Sequence, residues 1–189
     1  MLSLKYFQKK YIHHISKGLS FFGLNHLIED TNFDFDVYLP SKGMNLQRDL
    51  CWTLQQKQSL ILVILRDQVV PAITIVQIED LTGRRDFLAK RNWQVIDGKQ
   101  RLTTIISYFN NEFPILVEDK EYFFKDLPTD CQRQLMFYDL KVNVHYHYKE
   151  SSKNNITDDT KISLFEDINW LGTPQDINHM KKLKQGNES

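Results

Sequence analysis

The sequence predicts an α+β domain in which a small sheet is flanked by helices. The first observation is that apolar, β-branched runs such as PAITIVQI and DLKVNVHYHY occur, and such runs are typical of strands. The second is that other segments, such as TLQQKQSLILVIL, carry apolar residues at helical spacing. The third is that strand and helix segments alternate along 189 residues, a length that suits one domain with a substantial core.

We divide the chain into three segments of one domain. Residues 1–30 are predicted to be a helical segment, because apolar and aromatic residues such as Ile15 and Leu19 recur at roughly helical spacing. Residues 31–150 are predicted to form the core, in which strands and helices alternate. Residues 151–189 are predicted to be a C-terminal helical segment that completes the same domain.

The first part of the core is predicted to be a strand, a loop and a helix. FDFDVYLP is predicted to be a strand ended by its proline, because Phe33, Phe35 and Val37 alternate along it. After the loop SKGMNLQRDLCW, Thr53 can cap a helix, and Gln56 stands where a capping box places its partner. The buried face of this helix is predicted to consist of Leu60, Ile61, Ile64 and Leu65.

The remaining elements follow from the same patterns. PAITIVQI and NWQVI are predicted strands, and a helix is predicted from Lys99 to about Asn110. FPILVE and EYFF are predicted to pair as a hairpin, LPTDCQRQLMF to form a short helix and DLKVNVHYHY to form a strand. The polar stretch SSKNNITDDT predicts a loop, and KISLFEDIN and QDINHMKKLK are predicted helices on either side of a WLGTP turn.

Charge and composition limit the classes of function. The chain has 24 basic and 24 acidic residues, so its net charge gives no argument for binding to nucleic acid or to a membrane. Its longest apolar run, LILVIL, is far shorter than a membrane span. Cys51 and Cys131 are too few for a disulfide framework and fit a reducing cytoplasm. His145 and His147 share one face of a predicted strand, but no third ligand lies nearby in the sequence, so no metal site is predicted.

The segment VIDGKQRLTTIISYF joins a predicted strand to a predicted helix through a polar turn. Asp97 stands at the junction, where its side chain could cap the helix with Gln100 as its capping-box partner. Gly98 allows a tight turn or a close approach of the backbone to a ligand. The face of the helix that packs on a core is predicted to consist of Leu102, Ile105, Ile106 and Phe109.

The same turn has the features of an anion site. The amino end of a helix presents free N–H groups and a partial positive charge. Lys99 and Arg101 add two full charges at that end, where cations oppose the helix dipole, and this local conflict hints at a function. We predict a phosphate-binding turn. The alternative is a capped helix whose two cations are solvated.

Two further segments carry candidate ligand-binding residues. NLQRDLCW places Arg48 in a loop and Trp52 close to the start of a helix, and an arginine beside an exposed aromatic ring can clamp a phosphate or stack on a base. The alternative is a surface arginine and a core tryptophan. Asn169, which precedes WLGTP, can form hydrogen bonds with a ligand or cap the end of its helix.

In this order and spacing, the three segments resemble the N-terminal domain family of GmrSD-type restriction endonucleases, which has a ParB- and sulfiredoxin-like fold. The resemblance spans roughly Asp34 to Lys184. The family's elements are Q-R-x-x-x-W, D-G-Q-Q-R-L-T-T-L and F-x-x-I-N-x-x-G-T-P. They appear here as Gln47, Arg48 and Trp52; as Asp97, Gly98, Lys99, Gln100, Arg101, Leu102, Thr103 and Thr104; and as Phe165, Ile168, Asn169, Gly172, Thr173 and Pro174.

The resemblance implies a module that binds, and by extension hydrolyses, a nucleoside triphosphate (NTP) in systems that restrict foreign or modified DNA. It implies that Asp97 is the catalytic acid, which positions a metal-bound water or a ribose hydroxyl. The implied cofactors are an NTP, whose base the resemblance leaves open, and Mg²⁺. The implied nucleotide- and phosphate-binding residues are Arg48, Gly98, Lys99, Gln100, Arg101, Thr103 and Asn169.

The chain departs from the family pattern in two places. Lys99 replaces a glutamine and still suits an anion, whereas Leu50 replaces an aromatic residue and weakens base or ribose stacking. No H-N-H or H-x-x-P pattern of a nuclease follows the last helix, so we expect a separately encoded nuclease or other protein partner and only weak or indirect contact with DNA. The alternative function is a non-catalytic interaction protein that keeps the fold and works through a partner chain.

Overall fold

The computed structural model describes residues 13–20, 23, 32–78, 92–146 and 156–171. Within these residues the strands are β1 (His13–Leu19), β2 (Asn32–Asp34), β3 (Tyr38–Leu39), β4 (Met44–Asn45), β5 (Ile73–Ile78), β6 (Asn92–Asp97), β7 (Ile115–Val117), β8 (Lys120–Tyr122) and β9 (Leu140–Tyr146). The helices are α1 (Leu54–Leu65), α2 (Lys99–Phe109), α3 (Thr129–Phe137) and α4 (Asp158–Leu171), and Phe124–Asp126 forms a 3-10 turn. This content confirms the predicted α+β class, whereas the ParB- and sulfiredoxin-like architecture stays a prediction.

A mixed sheet is the centre of the described part of the chain. Its five strands lie in the order β1-β9-β5-β6-β2. The pairs β5–β9 and β2–β6 are parallel, and the pairs β1–β9 and β5–β6 are antiparallel. The two short ribbons are β3–β4 and β7–β8, and the second of them confirms the predicted hairpin.

The sheet separates two apolar cores, because successive side chains of a strand point to opposite faces. Ile75 of β5 and Val95 of β6 belong to the first core, and the adjacent Val76 and Ile96 belong to the second. Helices α1, α2 and α3 cover the first core, with Leu60, Ile61, Ile64, Leu102, Ile105, Tyr108 and Leu135 buried. Helix α4 covers the second core through Ile162 and Phe165, together with Val37, Leu39 and Leu46 from the chain around β3 and β4.

The predicted apolar faces of the first two helices are mostly confirmed. Thr53 and Gln56 form the predicted capping box of α1. Every residue of the predicted face of α1 is buried except Leu65, which is half-buried. In α2 the register of the buried face is shifted, because Tyr108 is buried in place of Ile106 and Phe109.

The helical prediction for residues 1–30 is wrong where the structure describes His13–Leu19. This stretch is strand β1, which pairs with β9 along its whole length. Gly18 disfavours a helix by about 1 kcal/mol relative to alanine. In the strand, Gly18 leaves room for the side chain of Asp139, because a Cβ at Gly18 would lie 1.7 Å from Oδ1 of Asp139. Most of the other residues of this predicted segment lie outside the described part of the chain.

Two other predicted boundaries are corrected. FDFDVYLP is two short strands and not one, because the Asp34 carboxylate accepts hydrogen bonds from the N–H groups of Asp36 and Val37, at 3.0 and 2.9 Å. Such a side-chain turn competes with strand pairing. At the other end of the chain, α4 continues to Leu171, where a turn was predicted. The predicted helix QDINHMKKLK lies outside the described residues, and the segment limits 1–30, 31–150 and 151–189 stay predictions.

Candidate functional site

A bulge at the end of β6 places the start of the candidate site. Thr74 pairs with Asp97 and Ile75 pairs with Val95, so Ile96 is an extra residue in β6. A bulge bends its strand and leaves backbone groups without ladder partners. The side-chain amide of Gln47 donates to the carbonyls of Val95, at 2.9 Å, and of Ile96. The bulge thereby joins the end of β6 to the loop of residues 46–53, which we call the Arg48 loop.

Gly98 forms the turn from β6 into α2. Its φ of 100° lies in the left-handed region, and it is the N-cap residue of α2 without a side-chain capping bond. A Cβ at this position would lie 1.8 Å from Cγ2 of Ile73. Backbone conformation and packing therefore both require glycine, which confirms the predicted tight turn. The predicted capping box of Asp97 and Gln100 is wrong, because both side chains bond elsewhere.

Asp97 at the end of β6 and Arg101 in the first turn of α2 form an ion pair. Nη2 of Arg101 lies 2.7 Å from Oδ2 of Asp97 and donates a second bond, of 3.1 Å, to the carbonyl oxygen of Ala72. The two side chains are 17% and 22% exposed. Nε of Arg101 is buried and has no hydrogen-bond partner among the described residues. The guanidinium is therefore held in place and retains an unused donor.

Lys99 is the more deeply buried of the two cations. Its side chain is 8% exposed, and Nζ lies 2.5 Å from Oδ1 of Asp36, whose side chain is 61% exposed. The alternative of two solvated cations is therefore wrong, because Lys99 and Arg101 are both largely buried and paired. The sequence pattern contains no signal for this role of Asp36, which lies 63 residues before its partner and within a predicted strand.

Gln100 connects α2 to the Arg48 loop. Its Nε2 donates to the carbonyl oxygen of Asp49 at 3.0 Å. Its Oε1 accepts from the N–H groups of Cys51 and Trp52 at 3.3 and 3.4 Å. Arg48, immediately before this bonded stretch, is exposed. The loop is thus fixed at the amino end of α2, with its arginine facing solvent.

These contacts enclose an open cleft of about 100 Å³. Its lining contains three cationic side chains and one carboxylate, and Asp36 adds a second carboxylate at Lys99. The structure brings together most of the predicted site residues at this point. The lining residues are Gln47, Arg48, Trp52, Asp97, Gly98, Lys99, Gln100 and Arg101.

Two predicted binding residues do not line the cleft. The hydroxyl of Thr103 donates to the carbonyl oxygen of Lys99 at 2.8 Å and so bonds back to its own helix. Nδ2 of Asn169 donates to the carbonyl oxygen of Phe165 at 2.6 Å within α4. Gln47, by contrast, lines the cleft although its sequence context did not mark it as a binding residue. Its position depends on the bulge in β6, which periodicity does not predict.

Other site classes find little support in the described part of the chain. Its histidines, cysteines and acidic residues form no group of three or more that could hold a metal ion. Cys51 is exposed, Cys131 is half-buried, and both are free thiols. No helix among the described residues is both long and apolar enough to cross a membrane.

The match to a family model agrees with the resemblance seen in the motifs. The family described as GmrSD restriction endonuclease, N-terminal domain, matches residues 25–188. This range includes the Arg48 loop and all of α2, and it covers most of the chain. No curated protein and no solved structure matches the chain significantly. The chain therefore belongs to the family of GmrSD restriction endonuclease N-terminal domains, which is related to DNA restriction and defence.

Proposed function

We propose that the cleft at the amino end of α2 binds the phosphate groups of a nucleoside triphosphate, in a protein of a DNA restriction system. The observation that carries this proposal is the convergence of three cations on one small cleft. Arg48 lines it from the Arg48 loop, and Lys99 and Arg101 line it from α2. Two of these cations lie in the first turn of a helix, where a bound anion would share them with the carboxylates of Asp36 and Asp97.

The backbone of α2 supports the same ligand chemistry. The first N–H groups of a helix have no partner within the helix. The N-cap residue Gly98 contributes no side-chain bond to them, and it lines the cleft. A glycine at this place allows a phosphate oxygen to approach the backbone closely. Arginine adds a forked donor and lysine a compact charge, and both suit phosphate.

The size of the cleft supports binding of the phosphate groups and not of the whole nucleotide. Pockets for whole small molecules measure roughly 300–1,000 Å³. A cleft of about 100 Å³ suits phosphate groups and leaves the nucleoside outside. The half-buried Trp52 lies in the lining, where its ring could stack against a ribose or a base. Inorganic pyrophosphate should therefore compete with the nucleotide.

Asp97 is the carboxylate that we propose for hydrolysis. It lines the cleft, and Mg²⁺ commonly uses one or two carboxylates together with phosphate oxygens. The bond from Arg101 to Oδ2 fixes the orientation of the carboxyl group. With Mg²⁺ bound at such a site, the ion would offset the negative charge of the phosphates. The contribution of Asp97 is to hold a carboxylate oxygen beside the phosphates.

A thermal-shift titration tests nucleotide binding. A ligand at one hundred times its Kd stabilises the folded state by about 2.7 kcal/mol, which corresponds to roughly 5–10 °C in Tm for a chain of this size. ATP, GTP, CTP, UTP and pyrophosphate are each added with and without Mg²⁺. We expect a shift that Arg48→Ala reduces, because Arg48 is exposed and its loss should leave the fold intact.

Two variants control this experiment. Arg133→Ala removes an exposed arginine from α3, which contributes no residue to the cleft, and should leave the shift unchanged. Asp97→Asn should keep binding but lose metal-dependent phosphate release, since asparagine can still accept the bond from Arg101. No shift with any of the five ligands would contradict the proposal and favour the non-catalytic interaction protein.

A further inference from the structure

We propose that Gln100 and Gln47 are positioning residues that fasten the Arg48 loop over the cleft. In this arrangement Arg48 is the group that contacts the phosphates, and the two glutamines act through it. This inference rests on the proposed function. It also reassigns Gln100, because the resemblance implied that Gln100 itself holds phosphate oxygens.

The bonds of Gln100 support a positioning role. Its amide oxygen accepts from the N–H groups of Cys51 and Trp52, and its amide nitrogen donates to the carbonyl oxygen of Asp49. Both ends of the side chain are thus bonded to the backbone of the Arg48 loop. The amide oxygen and one amide hydrogen are used by the loop, so a phosphate could contact Gln100 only through the remaining hydrogen of Nε2.

Gln47 fastens the other end of the same loop. Its amide nitrogen has two hydrogens, and it donates to two carbonyls, those of Val95 and Ile96. These carbonyls belong to the bulge directly before Asp97. The backbone N–H of Gln47 also donates to the carbonyl oxygen of Asp36 at 3.2 Å. Arg48 therefore lies between two fixed points, one on β6 and one on α2.

Fixing the loop matters because Arg48 is exposed and long. A free arginine loses much rotamer freedom when it binds, and a mobile loop would add its own ordering cost. Because residues 47, 49, 51 and 52 are already bonded, binding of a phosphate mainly has to order the side chain of Arg48. Loss of either glutamine should therefore weaken anion binding without removing a charge from the cleft.

The test is a double-mutant cycle read by calorimetric titration with inorganic pyrophosphate. The wild type, Gln100→Ala, Arg48→Ala and the double variant are compared at two ionic strengths. Each single change should weaken binding by about tenfold, the order expected when a charge-assisted hydrogen bond is lost. The double variant should bind no more weakly than Arg48→Ala, because Gln100 acts only through Arg48.

Salt dependence separates positioning from direct contact. Arg48→Ala removes a charge–charge interaction, so the affinity should depend less on salt. Gln100→Ala removes a neutral side chain, yet it should lower the salt dependence to the same extent if it disables Arg48. Additive effects in the double variant, or an unchanged salt dependence in Gln100→Ala, would overturn the inference. If Gln100 only stabilised the fold, Gln100→Ala would lower Tm, but its effect on pyrophosphate affinity would not depend on whether Arg48 is present.

Two further variants complete the test. Gln58→Ala is a matched control, because Gln58 of α1 also donates to a backbone carbonyl, that of Pro114, but does not line the cleft. It should leave pyrophosphate affinity unchanged. Gln47→Ala repeats the cycle from the other end of the loop if Gln100→Ala does not fold. If the wild type binds no pyrophosphate, both proposals fail; if it binds and the effects are additive, only the positioning role fails.

Discussion

At the scale of single residues, two of the three cations of the candidate site already have counter-ions. Lys99 is paired with Asp36, and Arg101 is paired with Asp97. These pairs explain how two positive charges can lie largely buried at the amino end of α2. Because of these pairs, a bound phosphate must either share each of the two cations with its carboxylate or displace that carboxylate. Anion affinity should therefore depend on the carboxylates as well as on the cations.

Asp36→Asn should strengthen binding of pyrophosphate by about fivefold, equivalent to about 1 kcal/mol, because the carboxylate no longer competes for the ammonium group of Lys99. The same calorimetric titration measures the effect. The control is Asp49→Asn, which removes an exposed negative charge from the Arg48 loop without breaking an ion pair among the described residues. An equal gain in both variants would mean that only the overall charge matters, and weaker binding in Asp36→Asn would contradict the competition directly.

The sequence predicted the residues in the turn from β6 into α2, but not the more distant residues that bond to this turn. Asp97, Gly98 and the following cations were identified because a strand, a polar turn and an amphipathic helix are adjacent in the chain. Asp36 and Gln47 were missed as site residues because their partners lie 63 and 48 residues further along the chain. Short-range patterns do not encode such pairings, and they do not reveal a bulge.

At the scale of secondary-structure elements, the same limit explains why β1 was predicted as a helix. Ile15 and Leu19 lie four residues apart, which fits a helix, but every second residue fits a strand as well. Strand β9 decides that this segment is a strand. The buried residues of β9 alternate, and without β1 as a neighbour β9 would be an uncovered edge of the sheet. The choice depends on a partner more than one hundred residues away. Helix α1 was easier to predict because its cap and its apolar face are both local.

Helix α4 is attached to the rest of the domain by a charged contact as well as by its apolar face. Asp158 accepts a 2.9 Å hydrogen bond from the N–H of Ser41, and Oδ1 of Asp158 lies 3.5 Å from Nζ of Lys161, whose side chain is 7% exposed. Burial raises the pKa of Asp158, but the hydrogen bonds from Ser41 and the charge of Lys161 outweigh it and hold the pKa below its usual value.

This lowered pKa predicts how stability depends on pH. The contact should be fully formed above the unfolded pKa of about 3.9 and lost as the pH falls through the lower folded pKa. Asp158→Asn should reduce the free energy of unfolding by about 1–3 kcal/mol at pH 7, because Lys161 is left buried without its partner. The difference from wild type, measured by urea unfolding, should shrink below about pH 4.

The exposed neighbour Asp159 supplies the control for this prediction. Asp159→Asn makes the same chemical change in the same first turn of α4, so both variants lose a similar interaction with the helix dipole. Only Asp158→Asn should show the larger loss and its dependence on pH. Equal curves for the two variants would show that the contact with Ser41 and Lys161 contributes nothing to stability.

At the scale of the whole molecule, the two apolar cores pack on opposite faces of one sheet. The candidate site lies at the end of strand β6, which contributes residues to both cores. Val95 is buried in the first core and Ile96 in the second, directly before Asp97. The cleft is therefore positioned by packing on both faces of the sheet. Because the faces share their strands, neither core should melt without the other. The same expectation follows from the prediction that residues 151–189 complete the domain, which stays a prediction.

Leu135→Ala in the first core and Phe165→Ala in the second test this expectation. Both side chains are 1% exposed, so each change should lower the free energy of unfolding by about 2–5 kcal/mol. Urea unfolding is followed by far-ultraviolet circular dichroism and by tryptophan fluorescence. In both variants the two signals should change together in a single transition, because strands β5 and β6 carry residues of both cores. A separate early transition in Phe165→Ala would show that α4 unfolds by itself, and the C-terminal segment would then be an independent unit.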